Sequence, residues 1–238
     1  MKKRIWELDF FRGVFLWGMI GIHLIYDLVD LYGVLDWQLP EAYLLFKNRF
    51  GITFVVLSGL CATLGRNSVR RGLKVFACGM VCTLATYLMV WAGMAGKGLL
   101  IYFGVLHCLG TCMVLWAGFK KLPTWALLIL GLGIVVYGEY LRDVAYPWAT
   151  YLFPLGFKGY GFASSDYFPL LPNLGYFLVG SVLGRTIYKE KRSLLPGVKE
   201  GNPIIRFFRF CGTHSLLIYM AHQPILAGIV GLIAYASP

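Results

Sequence analysis

Long apolar runs dominate the chain, and the polar residues fall between these runs instead of alternating with apolar ones. Each run is about 20 residues long, which is the length of a helix that crosses a bilayer, and the alternation typical of a membrane β-barrel is missing. The pattern predicts an all-α, polytopic transmembrane helical bundle of about seven spans. The expected spans are residues 10–32, 44–64, 72–94, 99–118, 122–140, 168–188 and 214–235.

Composition points to the same class of protein. Hydrophobic residues make up 58% and charged residues 14% of the 238 residues, and the mean hydropathy is +0.69. A soluble domain carries about a quarter charged residues, so lipid is the solvent that suits most of these side chains. Because no linker-like stretch divides the chain, we expect a single transmembrane domain over residues 1–238 in a multi-pass protein of the plasma membrane.

The net charge of +11 is carried by short basic clusters between the apolar runs. The clusters are Lys2 to Arg4, Arg66 to Lys74, Lys120 with Lys121, and Arg185 to Arg209. Cytoplasmic loops of membrane proteins carry an excess of Lys and Arg, so the clusters predict an inner N-terminus and an outer C-terminus. Nucleic acid is not an expected partner, because the basic residues form no continuous face.

Three ionisable residues share one face of the first expected span. Arg12 and His23 are eleven positions apart, close to three helical turns, which places them roughly 16 Å apart along the axis. His23 and Asp27 are four positions apart and therefore neighbours on that face. Asp9 comes three residues before Arg12 and can neutralise it. Because ionisable residues inside a span usually face the bundle interior and mark function, this face is the main candidate site.

The chemistry of this face suits group transfer. Neutral His23 can take a proton from an attacking amine or hydroxyl, and Asp27 can fix the tautomer of its ring, which makes both candidate catalytic residues. Arg12, at the inner edge, suits a phosphate group that arrives from the cytoplasm. The structural alternative is a buried His–Asp hydrogen bond that only holds helices together.

Motifs along most of the chain resemble known acyltransferases. The spacing of Arg12 and His23 resembles the first span of membrane acyltransferase-3 type enzymes. Further stretches are similar to the heparan-alpha-glucosaminide N-acetyltransferase catalytic-domain family, which includes small bacterial members. These stretches are ELDFFRG at 7–13, LSG at 57–59, GVLHC at 104–108, SDYFPLLP at 165–172, HSLLIY at 214–219 and HQP at 222–224.

The resemblance implies an activity. Acetyl-CoA, or another acyl-CoA, would be the co-substrate taken from the cytoplasm, and the acyl group would pass to an amine or hydroxyl of a glycan-like acceptor on the far side. The family's histidine corresponds to His23 and its arginine to Arg12. The expected partners are therefore the lipid bilayer, acyl-CoA and the acceptor.

Three further residues are candidate substrate-binding groups, each with a structural alternative. His107 and His222 lie inside expected spans and could line the site or make a helix–helix hydrogen bond. Asp166 stands just before the sixth span and could bind substrate or cap that helix. The outer loop 141–167 and the span ends would select the acceptor. Residues 203–211 alternate basic and apolar side chains, which suits a helix at the inner interface.

Metal and haem sites are weaker interpretations, and we expect no metal. His23 with His107 is the best haem pair by expected depth. Cys78, Cys82, Cys108 and Cys112 could form a tetrathiolate site, although cysteines in spans more often only pack. Gly180 and Gly184 favour close helix packing, either within the chain or in a homodimer.

Two other functions remain open from the residues alone. A transporter or exporter of a small polar solute could use the same polar face as its path. An assembly partner inside a larger envelope complex is the third class. Chemistry on the solute separates the first alternative from the acyltransferase, because a transporter returns the solute unmodified.

Overall fold

The computed structural model describes residues 5–142, 144–146, 148–149, 151–198 and 201–236. Within these residues there is no β-strand, only two isolated bridges, and the chain is helical between short turns. The helices are α1 (Trp6–Tyr26), α2 (Glu41–Leu64), α3 (Ser68–Trp91), α4 (Val105–Phe119), α5 (Thr124–Leu141), α6 (Leu170–Thr186), α7 (Pro203–Thr213) and α8 (Ser215–Ala236). A π-helical turn, Asp27–Leu31, continues α1. The all-α prediction is confirmed.

Each of the expected spans overlaps one of these helices. Five helices are long and apolar enough to cross a membrane, and they are Trp6–Leu31, Glu41–Leu64, Ser68–Trp91, Thr124–Leu141 and Ser215–Ala236. The other two, α4 and α6, have 15 and 17 residues. The count of seven spans and the orientation therefore stay predictions. Of the basic residues assigned to the inner side, Lys2, Lys3, Arg4 and Lys199 lie outside the described residues.

The apolar surface of α3 supports a lipid environment. Large side chains along this helix, including Leu73, Leu84 and Trp91, are exposed, and Trp91 keeps 77% of its surface accessible. A water-soluble chain rarely exposes a continuous apolar face of this length, whereas a helix in contact with lipid is expected to do so.

The chain forms two compact units. The terminal unit comprises Met1–Phe54 and Lys191–Pro238, and the central unit comprises Val55–Glu190. The central unit has a hydrophobic core of buried side chains from its helices, among them Cys108, Trp116 and Phe177. The two buried cysteines of α4, Cys108 and Cys112, belong to this core, with their sulfur atoms 4.0 Å apart.

Glycines allow helices of the central unit to meet backbone to backbone. A Cβ at Gly180 would overlap the carbonyl oxygen of Val56, and a Cβ at Gly184 would lie 2.7 Å from the carbonyl oxygen of Leu60. The Gly180–Gly184 pair therefore packs α6 against the second part of α2 within the chain. The alternative of a homodimer contact gains no support from this pair.

The terminal unit uses the same device to join α1 and α7. A Cβ at Gly13 would overlap the carbonyl oxygen of Phe208, and a Cβ at Gly212 would overlap that of Asp9. The predicted helix at residues 203–211 is confirmed as α7, and the rings of Phe10 and Phe208 meet edge to face beside these glycines, 5.5 Å apart. The start of α1 is thus held by reciprocal glycine contacts.

Gly13→Ala should destabilise the protein, because the added methyl group must displace the α7 backbone at Phe208. Overpacking of this kind costs about 1–3 kcal/mol. Gly21→Ala is the matched control in the same helix, since a Cβ there meets nothing within 4 Å. The measurement is the melting temperature of detergent-purified protein, followed by intrinsic fluorescence. Equal melting temperatures for the two variants would contradict the close approach of α1 and α7.

Candidate functional site

Four polar side chains meet between α1 and α8 in the terminal unit. The rings of His23 and His222 contact each other edge to face, with centroids 4.9 Å apart. Beside them, Gln223 Nε2 donates a hydrogen bond of 2.8 Å to Asp27 Oδ1. We call these four residues the histidine cluster. Asp27 is fully buried and His222 is 7% exposed, so the cluster is largely withdrawn from the surface.

Both helices are irregular where they carry the cluster. Asp27 begins the π-helical turn that ends α1. On α8, Pro224 directly follows Gln223 and has no N–H to donate, so the regular hydrogen-bond ladder is interrupted there. Local π-helical turns inside membrane or soluble helices are frequent at functional sites. The cluster therefore lies where both helices depart from the regular α-helical hydrogen-bond pattern.

The hydrogen bonds of the two rings fix their tautomers. His23 Nδ1 lies 3.0 Å from the carbonyl oxygen of Met19, and His222 Nδ1 contacts that of Tyr219. A carbonyl oxygen can only accept, so each Nδ1 must carry the proton. In the neutral ring the lone pair is then on Nε2. The cluster therefore holds two basic nitrogen atoms on rings that touch.

Several buried atoms of the cluster lack a hydrogen-bond partner among the described residues. These atoms are Asp27 Oδ2, His222 Nε2 and Gln223 Oε1. Buried polar atoms are nearly always paired in folded proteins, and each unpaired one costs about 1–3 kcal/mol. Nε2 and Oε1 can only accept, so the arrangement suits a ligand that donates several hydrogen bonds, such as an amine or a hydroxyl.

The geometry differs from the sequence expectation in one respect. We expected Asp27 to orient the ring of His23, but Met19 provides the partner of His23 Nδ1 and Gln223 provides that of Asp27. Side chains in a helix lean towards its N-terminus, which brings the ring of His23 back to the carbonyl four residues earlier. Asp27, already in the π-helical turn, faces α8 instead.

Sequence reasoning placed His222 among the candidates but passed over Gln223. The available signal was an amide next to a histidine inside an apolar span, where an unpaired amide is costly. The structure gives Gln223 the role of the hydrogen-bond partner that holds Asp27.

Arg12 lies in an ion pair at the start of α1. Its Nη1 is 2.9 Å from Asp9 Oδ1 and 3.4 Å from the carbonyl oxygen of Gly212. The expected neutralisation by Asp9 is therefore present, and it ties Arg12 to the contact of α1 with α7. The role of Arg12 as a phosphate ligand stays a prediction.

The neighbouring Glu7 accepts hydrogen bonds of 2.8 Å from Ser193 and from the Leu194 N–H, so this end of α1 is anchored at several points.

His107 and Asp166 meet at the N-terminus of α4 in the central unit. Asp166 Oδ2 accepts a hydrogen bond of 3.0 Å from the Val105 N–H, and His107 Nδ1 accepts one of 3.2 Å from the Gly104 N–H. Because Nδ1 accepts, the ring proton is on Nε2, which faces Thr83 Oγ1 at 3.4 Å. Both side chains thus cap α4, whereas the helix that the sequence offered for a cap by Asp166 was the sixth span. Their part in substrate binding stays a prediction.

Comparison with protein families identifies the relationship of this chain. The family model described as heparan-alpha-glucosaminide N-acetyltransferase, catalytic, matches residues 4–224. The chain belongs to this family. Membership indicates a membrane acetyltransferase-type function and, in general, the use of acetyl-CoA. Searches of curated proteins and of solved structures found no match.

The family match ends at Pro224, so it includes every residue of the histidine cluster. It also includes the cap of α4 and the contact of α1 with α7. Among the residues that the structure describes, no three His, Cys, Asp or Glu side chains are placed to share a metal ion.

The cap of α4 has a pH dependence that can be tested. Burial raises the pKa of Asp166 to about 6 from 3.8, although the hydrogen bond from the Val105 N–H acts in the opposite direction. A carboxyl whose pKa is higher in the folded state favours folding in its neutral form. This contribution is fully present below about pH 4 and is lost as the pH rises through about 6.

Asp166→Asn should therefore reduce the loss of melting temperature between about pH 4 and about pH 7. Asn cannot ionise, yet it keeps an oxygen that can accept from the Val105 N–H. Asp36→Asn, in an exposed loop, is the matched control and should keep the wild-type pH dependence. A wild-type pH dependence in Asp166→Asn would show that burial of this carboxyl is not the cause.

Proposed function

We propose that this chain is a multi-pass acyltransferase of the plasma membrane. It would move an acyl group, expected to be acetyl, from cytoplasmic acyl-CoA to an amine or hydroxyl of a glycan-like acceptor on the outer side. Family membership supports the transferase class. The observation that carries the proposal is the contact of the His23 and His222 rings in a cluster that also has several buried acceptor atoms without a partner among the described residues.

His23 is the proposed general base. Its ring is half-buried and so is more accessible than that of His222, and the bond to Met19 leaves Nε2 to accept a proton. As the acceptor nitrogen or oxygen attacks the thioester carbonyl, its proton passes to Nε2. A bond from carbon to nitrogen or oxygen forms, the carbon–sulfur bond breaks, and the proton on His23 is then available to the CoA thiolate.

His222 and Gln223 are proposed to position the acceptor. An attacking amine carries more than one N–H, and only one of them faces the base. His222 Nε2 and Gln223 Oε1 are further acceptors within the same cluster, and neither has a partner among the described residues. Asp27 acts through Gln223, because their hydrogen bond fixes the orientation of the amide. A ligand with several N–H or O–H donors would satisfy atoms that the protein leaves unpaired.

His23→Asn should lower the rate of acetyl transfer by about 100-fold or more, the usual contribution of a general base. Asn can still donate to the Met19 carbonyl but has no basic nitrogen. The assay is transfer of labelled acetyl from acetyl-CoA to an amino sugar by protein in nanodiscs. His214→Asn is the control, since His214 is exposed and bonded to Phe210 at the end of α7. Full activity of His23→Asn would overturn the assignment of the base.

Protein reconstituted into sealed vesicles separates the transporter from the enzyme. If the wild-type protein carries an amino sugar across vesicle membranes and returns it unmodified in the presence of acetyl-CoA, the acyltransferase proposal fails. Acetylated product in the wild-type protein, lost in His23→Asn, supports it.

His222→Asn should raise the KM for the acceptor more than it lowers kcat, because the residue is proposed to hold the acceptor and not to take its proton. Loss of one hydrogen bond to a ligand changes affinity by about tenfold. Steady-state kinetics with varied acceptor at saturating acetyl-CoA measures the two parameters. A loss confined to kcat, as expected for His23→Asn, would show that His222 shares the proton transfer instead.

A further inference from the structure

A basic groove opens on the central unit between the start of α3 and the end of α4. It has a volume of about 600 Å³, which lies within the range of small-molecule sites. Four cationic side chains line it, and they are Arg66, Arg70, Lys74 and Lys120. In the part of the chain that the structure describes, no Asp or Glu lines the groove. The floor between the cations is apolar and includes Leu73, Ala77 and Ala117.

The sequence concentrates these charges on one face. Arg66, Arg70 and Lys74 follow one another at intervals of four, so the two that belong to α3 project from the same side of the helix. Like charges at this spacing repel each other. None of them makes an ion pair with a carboxylate among the described residues. Binding of an anion would relieve this repulsion.

The backbone adds donors to the groove. Asn67 precedes the first turn of α3 and lines the groove, but its side chain makes no capping hydrogen bond. The first N–H groups of a helix have no partner within the helix, and together with the helix dipole they favour an anion. The cations and these N–H groups therefore face the same space.

Hydrogen bonds from Arg185 hold the backbone at Lys120 in place. Arg185 donates hydrogen bonds of 2.7 Å to the carbonyl oxygens of Lys120 and Leu122, which holds the turn between α4 and α5. Its guanidinium also lies over the ring of Trp116, 5.3 Å from the centroid. Lys120 therefore lies on a turn that these bonds stabilise, and it lines the groove together with the three cationic side chains at the start of α3.

We propose that this groove binds phosphate groups, and that the diphosphate and 3′-phosphate of the acyl-CoA donor are their source. The choice of acyl-CoA rests on the proposed function, whereas phosphate binding itself does not. Arg12, the arginine expected from the sequence to meet the phosphates, is already paired with Asp9. The apolar floor suits a ligand that carries a flat, weakly polar base beside its phosphates. An anionic lipid headgroup has the same phosphate chemistry and is the competing source.

The test compares two double variants of the full chain. Arg70→Gln with Lys74→Gln removes two charges from the groove, and Lys189→Gln with Arg206→Gln removes two from exposed positions elsewhere on the basic segments. All four positions are exposed, so both variants should fold like the wild type. The probes are CoA, dephospho-CoA and adenosine 3′,5′-bisphosphate, titrated by calorimetry against protein in nanodiscs of neutral phosphatidylcholine.

We expect the groove variant to bind CoA and adenosine 3′,5′-bisphosphate about tenfold more weakly than the wild type. The control variant should keep wild-type affinity, and added salt should weaken wild-type binding. Dephospho-CoA should bind the wild type more weakly than CoA does. Equal affinity of the groove variant and the wild type for CoA would overturn the assignment of the groove to the donor.

A second arm addresses the lipid source. Anionic phosphatidylglycerol, added as a fraction of the nanodisc lipid, should compete with CoA for the groove of the wild-type protein. If no nucleotide binds but phosphatidylglycerol raises the melting temperature of the wild type and not of the groove variant, phosphate binding stands and acyl-CoA as its source is overturned. If neither ligand distinguishes the two variants, the groove is not a phosphate site.

The outcome is independent of the histidine cluster. His23→Asn should retain wild-type CoA affinity, because it leaves all four cationic side chains of the groove in place. Phosphate binding without any acetyl transfer by the wild type would contradict the proposed function and leave the groove assignment intact. Acetyl transfer by the wild type, together with equal CoA affinity of the wild type and the groove variant, would support the proposed function and overturn the groove assignment.

Discussion

Polar atoms inside apolar helices must find partners, because the bilayer core offers no water to bond them. The histidine cluster meets this requirement only in part. Each ring bonds a carbonyl of its own helix through Nδ1, and Gln223 pairs with Asp27. Of the four buried side-chain atoms that lack a partner among the described residues, three belong to this cluster, namely Asp27 Oδ2, His222 Nε2 and Gln223 Oε1, and the fourth is Ser58 Oγ. A folded protein tolerates such a concentration where a ligand supplies the missing bonds, which is why this cluster is the centre of the proposed site.

The rest of the terminal unit holds α1 in position. Gly13 and Gly212 allow α1 and α7 to approach to backbone contact, and the ion pair of Asp9 with Arg12 lies beside them. The contacts of residues 7–13 thus mainly fix the start of α1. His23 lies about three turns further along the same helix, on its polar face.

Much of the fold could be predicted from the sequence, because span length and periodicity are local properties. The helices, including the amphipathic α7, follow from them. His23 was found because an ionisable residue in a span is rare. The contact of His23 with His222 could not be predicted, because the two residues are near opposite ends of the sequence and only the folded chain brings them together. The tautomer of His23 also depends on side-chain direction, which favours Met19 over Asp27.

The cap of α4 shows the same limit in the central unit. Asp166 precedes α6 in sequence, and the cap that local rules offer for it is at the start of that helix. In the structure it bonds the Val105 N–H, so its role is set by how the loop folds back and not by its neighbours along the chain. Sequence patterns therefore singled out polar residues of the helices and their ends, but they did not predict the hydrogen-bond partners of those residues.

Nitrogen-15 NMR of ring-labelled histidines in the purified protein tests the central claim most directly, with His→Asn variants to assign the signals. We expect neutral rings with the proton on Nδ1 for His23 and His222, which leaves their Nε2 lone pairs available. His107 should show the opposite tautomer, since its Nδ1 accepts from the Gly104 N–H. A proton on Nε2 of His23 and His222 would contradict the account, because the cluster would then offer no base to an acceptor.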